Sequence, residues 1–201
     1  KSMAALNSGF VGANLKLMGN LLAARSIRDF GLKKGDQALV MGGFGIPGRS
    51  DREDGTVATL EAAGLKVIKL DLKGLGDIAG YPALLTPTFV ATMKKYPKLK
   101  YINAAGPQLG AMKIYFDAAK LKPGQIKVSG FDLGPTVLQA FADGYVQLSA
   151  DQEPFKQGYI PIISLCMAKV YGLSPSSVDT SAGFVTVDNY KTVAALPVGY
   201  R

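Results

Sequence analysis

Between Asn14 and Ala150 the sequence alternates short apolar runs with amphipathic stretches, and little chain is left over for anything else. Asn14 is placed to cap a helix whose apolar positions Leu17, Met18, Leu21, Leu22 and Ile27 share a face, with a stop near Gly31. Gln37 to Met41 reads as a short buried strand, Arg52 to Ala63 as a helix stopped at Gly64, and Leu65 to Leu70 as the next strand. Thr86 caps, and Pro87 opens, a helix running to Tyr96. A strand at Lys100 to Ala104, a helix at Gln108 to Lys120 and a strand at Gln125 to Phe131 follow, then a helix at Thr136 to Asp143 and a strand at Tyr145 to Ala150. Strands joined by helices run parallel and need cover on both sheet faces. The expected fold class is therefore α/β, a doubly wound parallel sheet with helices on both faces.

Beyond Gln152 the rhythm changes. Pro154 to Tyr171 reads as one long helix with Phe155, Tyr159, Ile162, Ile163, Cys166 and Val170 broadly on one side. Pro161 removes an intrahelical bond and is expected to kink that helix or delay its start. One further strand is expected at Gly183 to Val187.

Composition removes several chemistries. The chain has no histidine, which excludes histidine-based triads and general bases and most zinc sites. Its single cysteine, Cys166, has no histidine to activate it and is expected to be a small core residue. Neither a metal site nor a catalytic residue is expected. The net charge of +8 could suit nucleic acid, but Lys33, Lys34, Lys94, Lys95, Lys98 and Lys100 fall at helix ends and turns. A solvated surface, with no nucleic-acid partner, is the expectation. No apolar run approaches the roughly 20 residues of a membrane helix. The first residues, KSMAALNSGF, lack a signal peptide's apolar core, as expected of a mature exported form or a piece of one.

Two loops could carry chemistry. Gly43, Gly45 and Gly48 form G-x-G-x-x-G-like spacing after a strand, and Asp71 follows at the next strand's end, as in a dinucleotide fold. Pro47 and the following Arg49-Ser50-Asp51 delay the helix, so pyrophosphate could not reach its amino terminus, and a permissive turn is the better reading. Gly130-Phe131-Asp132 places a ring and a carboxylate at a strand's carboxyl end, the edge where open α/β sheets bind ligands. On the residues alone, Asp132 either accepts from a ligand or caps the following helix or its turn.

The run VSGFDLGPTVLQAFADGYVQLSADQEPFKQGY, the Arg52-Glu53-Asp54-Gly55 helix start and the DTSAGFVTVDN tail resemble the periplasmic sugar-binding proteins of ABC importers, of the ribose- and galactose-binding, type I kind. The resemblance implies a non-catalytic binding protein whose two lobes close on a sugar or polyol, presented to the importer's membrane subunits in the periplasm or on the cell surface. It needs no cofactor. It implies ligand-binding roles for Arg52, Asp132 and Gln152 as hydrogen-bonding groups and for Phe131 as a stacking face. Asn7 and Ser8 would supply a polar pair at the lobe crossing, Tyr81 an aromatic wall, and Asn103 a cleft amide despite its offset along the strand.

It also implies three parts. Residues 1–10 would be a remnant of the first lobe and hinge crossing, 11–151 the second lobe, and 152–201 the hinge return, a first-lobe-type helix and the tail. Most of the first lobe would then be absent, leaving the last helix to be covered by that lobe or by self-association. Two other readings share parts of the pattern: the effector domain of a sugar-responsive repressor, and a dinucleotide-binding Rossmann enzyme resting on the glycine loop and Asp71.

Overall fold

The computed structural model of the chain describes residues 8–46, 48, 50–72 and 82–196. In chain order they form β1 (Val11–Gly12), α1 (Leu15–Phe30), β2 (Gln37–Gly42), α2 (Asp51–Ala62) and β3 (Lys66–Asp71). A single 3-10 turn (Pro82–Leu85) leads into α3 (Thr86–Lys95), β4 (Leu99–Ala105), α4 (Gly106–Gly110), α5 (Met112–Ala118) and β5 (Lys127–Phe131). Then come α6 (Pro135–Ala142), β6 (Leu148–Asp151), α7 (Pro154–Tyr171), β7 (Val178–Asp179), β8 (Gly183–Thr186) and α8 (Tyr190–Ala194).

The main sheet has the order β3-β2-β4-β5-β6-β8. Its first five strands are parallel, as the alternating pattern predicts, and β8 closes the edge antiparallel to β6. The chain moves from β2 outward to β3 and then returns to β4 on the other side of β2. That reversal opens a crevice above the carboxyl ends of β2 and β4, where such sheets bind ligands. Separately, β1 and β7 lie side by side, with Val11 opposite Val178.

Strand periodicity sorts the core into two faces. Leu39, Met41, Ile102 and Val128 point into one layer with Phe89, Met112, Phe116 and Phe141 from the helices. Ala38, Val40 and Tyr101 point the other way, against Ala23, Val57 and Leu60 of α1 and α2, and Phe131 joins Met18, Leu22, Leu148 and Ala150 on the same side. The α1–α2 contact is unusually close because both helices carry glycine there. A Cβ on Gly19 would stand 2.1 Å from the Arg52 carbonyl oxygen, and one on Gly55 2.5 Å from that of Lys16.

Several boundaries differ from expectation for identifiable reasons. The stretch Gln108 to Lys120 is broken at Ala111 into α4 and α5, with Gly110 pressed on the Thr136 side chain. β6 begins at Leu148 because the Gln147 side-chain oxygen accepts from Val128 N–H at 2.9 Å, replacing a backbone partner. Thr86 does not cap α3: the chain is already coiled through Pro82–Leu85, so Thr86 is the helix's first residue. Asn14 does cap α1, accepting from Leu17 N–H at 3.1 Å, but Leu17 itself is exposed and small residues Gly19, Ala23 and Ser26 complete the buried face. α7 is continuous through Pro161, and among the described residues none of its side chains is buried. Cys166 is accordingly exposed, not a core residue.

Candidate functional site

Parallel strands bring Gly42, Asp71, Ala105, Phe131 and Asp151 to one edge of the sheet. Asp132 follows β5 there with φ 70°, a left-handed backbone that aspartate tolerates better than most residues. Its N–H donates to Ala150 O at 2.9 Å, and its carbonyl accepts from Ser149 Oγ at 2.8 Å. Those bonds aim the carboxylate across the strand ends. Arg52 Nη1 donates to Oδ2 at 2.9 Å and Gln152 Nε2 donates to Oδ1 at 2.6 Å. Gln152 is itself held, because Gln157 Nε2 donates to its carbonyl at 2.8 Å and to Thr180 Oγ1 at 2.9 Å. Gly134, which lies before α6, is its N-cap and no side chain caps that helix, so Asp132 is not spent as a cap.

Arg52 comes from the first turn of α2, a position where a cation opposes the helix dipole. It is retained by two carboxylates, since its Nε also donates to Glu53 Oε1 at 3.1 Å. Burial alone would lower the guanidinium's pKa, but Asp132 and Glu53 outweigh it and hold Arg52 above its ordinary value. Glu53 is the more deeply buried partner, and burial pushes its carboxyl up despite Arg52. Its Oε2 has no hydrogen-bond partner among the described residues. The room for this side chain is made by Gly42, where a Cβ would stand 2.5 Å from Glu53 Cγ.

Phe131 departs from expectation. Its ring is fully buried among Met18, Leu22, Leu148 and Ala150, and the Arg52 guanidinium covers it at 5.0 Å from the centroid. Strand alternation turns this side chain toward α1 with Ser129, so the ring supports Arg52 and offers no face to a ligand. Asn103 is likewise buried. It pairs with Ser129, two rows below Phe131, and its Nδ2 donates to Tyr101 Oη at 3.4 Å. It belongs to an internal polar cluster in which the Ser129 hydroxyl bonds Tyr101 at 2.6 Å and Ser26 at 2.9 Å. Ser8 is exposed and lines a hollow of about 230 Å³ with Pro161, Ser164 and Pro175, whose lining includes neither Arg52 nor Gln152. Asn7 and Tyr81 lie outside the described residues.

The structure thus brings together Arg52, Asp132 and Gln152, and adds Glu53 and Ser149, which no spacing pattern singles out. A carboxylate directly after the cleft arginine is the one signal that could have found Glu53. The glycine loop is closed on itself: Ile46 N–H donates to Ser50 Oγ at 3.1 Å, and Phe44 N–H reaches Asp71 Oδ1 at 3.4 Å. Asp51, Glu53 and Asp54 fill the first turn of α2, an arrangement that repels phosphate.

The order and geometry of this sheet are those of the type I periplasmic-binding-protein fold. A structure of the arabinose-binding protein AraP from Geobacillus stearothermophilus superimposes with a TM-score of 0.75 at 20% identity, over 92% of this chain and 64% of that one. A solute-binding protein from Burkholderia graminis in complex with D-arabinose gives 0.72 at 24% identity, over 90% and 63%. The periplasmic binding protein domain model matches residues 2–169, and the chain belongs to that family, whose members here are binding proteins. Among curated relatives, a D-ribose/D-allose-binding protein of Pseudomonas aeruginosa is 28% identical over 148 residues, 73% of this chain and 43% of the relative. A xylose/arabinose-binding protein of Sulfolobus acidocaldarius is 32% identical over 68 residues, 33% of this chain and 17% of that protein. The chain therefore spans less than half the length of either curated relative.

Proposed function

We propose that this chain is the sugar-recognising part of a solute-binding protein, holding a sugar or polyol without catalysis for a carbohydrate ABC importer. The observation that carries the reading is Asp132 pinned between Arg52 and Gln152 at the carboxyl end of β5. Each carboxylate oxygen has a further lone pair, and Arg52 has N–H groups beyond the two engaged by Asp132 and Glu53. Neighbouring hydroxyls of a sugar are both donors and acceptors. One can donate to Asp132 while accepting from Arg52, and the next can meet Gln152. The side chains are already oriented, so little rotamer freedom is lost on binding. Sugar-binding relatives and the D-arabinose-bound neighbour support the ligand class.

In this reading residues 11–151 are one lobe, while residues 1–10 and 152–201 cross to a first lobe that closes over the ligand. The closed form would be read by importer subunits, in the periplasm or at the cell surface. The test is a thermal-shift and calorimetric panel of D-ribose, D-allose, D-arabinose, D-xylose, myo-inositol and NAD on the 201-residue chain. Stabilisation by a pentose, hexose or polyol that Asp132→Ala abolishes is the expected result. A response to NAD alone, or sugar binding indifferent to Asp132, would overturn the reading.

A further inference from the structure

A hollow of about 1130 Å³ lies at the opposite pole of the sheet from Asp132. Leu99 and Lys66, which start β4 and β3, line it, so it opens at the amino ends of the strands. A strand of six residues spans about 20 Å, which separates this hollow from the carboxyl-end site. Lys66, Lys94, Lys98, Lys100 and Lys120 converge on it from two strands, a helix end and two connections. All five are exposed, and none pairs with a carboxylate among the described residues. The one acidic residue in the lining, Asp36, accepts from Lys33 N–H at 2.9 Å.

Helix dipoles account for only part of this. Lys94 sits in the last turn of α3 and Lys120 just past α5, where cations complement the carbonyl ends. Lys66, Lys98 and Lys100 lie outside any helix's last turn. Lys120 has a left-handed backbone, φ 57°, as the residue that ends α5, where Leu121 N–H donates to Phe116 O at 2.8 Å. Protein surfaces usually intersperse charges of both signs, because like charges held together repel. A concave wall of one sign focuses the field and concentrates counter-ions.

We propose that this hollow is a second binding site, for a polyanion carrying clustered phosphate groups. Ammonium groups act as point charges that meet phosphate oxygens from any direction. The lining contains no arginine, so recognition here would rest on summed charge, which clustered phosphates match better than a single anion does. Its lining includes Met93 and Leu121, which would pack against an apolar portion of such a ligand. Phosphate of this kind comes either in a soluble polyphosphorylated molecule or in anionic lipid headgroups.

The test titrates the 201-residue chain with sodium tripolyphosphate by calorimetry and, separately, sediments it with phosphatidylglycerol-containing vesicles. The site variant is Lys98→Gln/Lys100→Gln/Lys120→Gln. The control, Lys16→Gln/Lys169→Gln/Lys191→Gln, removes the same charge elsewhere. Every substituted lysine in the site variant is exposed, so melting should be unchanged, and Lys98→Gln alone provides a milder check. The expected result is saturable binding of at least one probe, weakened about tenfold or more in the site variant and by less than about threefold in the control. Tripolyphosphate binding without vesicle binding identifies a soluble ligand, and lysine-dependent vesicle binding identifies a headgroup. Failure of both probes to saturate, or equal loss in the two triple variants, would overturn the proposal.

Discussion

Arg52 and Asp132 lie 80 positions apart and meet at 2.9 Å, joining the first turn of α2 to the end of β5. The pair spans the crevice opened where the chain reverses direction across the sheet. Neither partner is deeply buried, at 20% and 33% side-chain exposure, so the bond itself adds little to stability. Its consequence is orientation.

Asp132→Ala should cost the sugar complex about 1.5–3 kcal/mol, the scale of hydrogen bonds to a charged group. Asp132→Asn keeps the left-handed backbone tolerable and should lose part of that. Calorimetry against whichever sugar stabilises the wild-type chain measures both. Equal affinity in all three proteins would show that this carboxylate does not touch ligand.

The close α1–α2 contact makes a second test. Gly55→Ala would press a methyl group on the Lys16 carbonyl oxygen, a backbone atom that cannot swing away. Overpacking of this kind costs about 1–3 kcal/mol, with roughly 2–4 °C of melting temperature for each kcal/mol. Gly158→Ala in α7 meets nothing within 4 Å and should be neutral or mildly stabilising through helix propensity. Calorimetric melts of the two variants should therefore move in opposite directions or differ by several degrees.

Glu53 gives a pH prediction. Burial raises its folded-state pKa above the ordinary value of 4.5, so on raising the pH the folded chain releases this proton later than the unfolded chain does. Stability from this group is fully present below the unfolded pKa and is lost as pH rises through the folded one. Glu53→Gln removes the titration. The melting difference between variant and wild type should shift in the variant's favour from acid toward neutral pH. A difference that stays flat across that interval would show that the fold does not raise the Glu53 pKa.

Much of this was legible in the sequence, and what was not has specific causes. Alternating patterns fix parallel strands, and parallel strands deliver Asp132 and Gln152 to one edge, where Arg52 also arrives from α2. β5, however, is buried on both faces, so its apolar run does not reveal which way Phe131 points. Asn103 was misplaced for a related reason: its pairing with Ser129 sets its depth, and pairing is not written locally. Glu53 depends on the side chain that Gly42 lacks, a relation between β2 and α2. The lysines of the basic hollow span residues 66 to 120 and gather only once strand order is known.

α7 supplies the last prediction. Ile162, Leu165, Val170 and Tyr171 are each more than 60% exposed, so α7 carries more bare apolar surface than a helix facing only water needs. On the same helix Cys166 is exposed and provides a chemical reporter. In the chain alone, a thiol reagent should label Cys166 in the folded state at low protein concentration. At higher concentration the chain should self-associate through α7, slowing the labelling and raising the sedimentation coefficient. Ile162→Glu with Val170→Lys should keep the chain monomeric and the thiol open without lowering its melting temperature, because neither side chain is buried. A strictly monomeric wild type at all concentrations, with labelling unaffected by the substitutions, would mean that α7 attracts no second copy. A loss of melting temperature in the double variant would instead show that α7 already packs within its own chain.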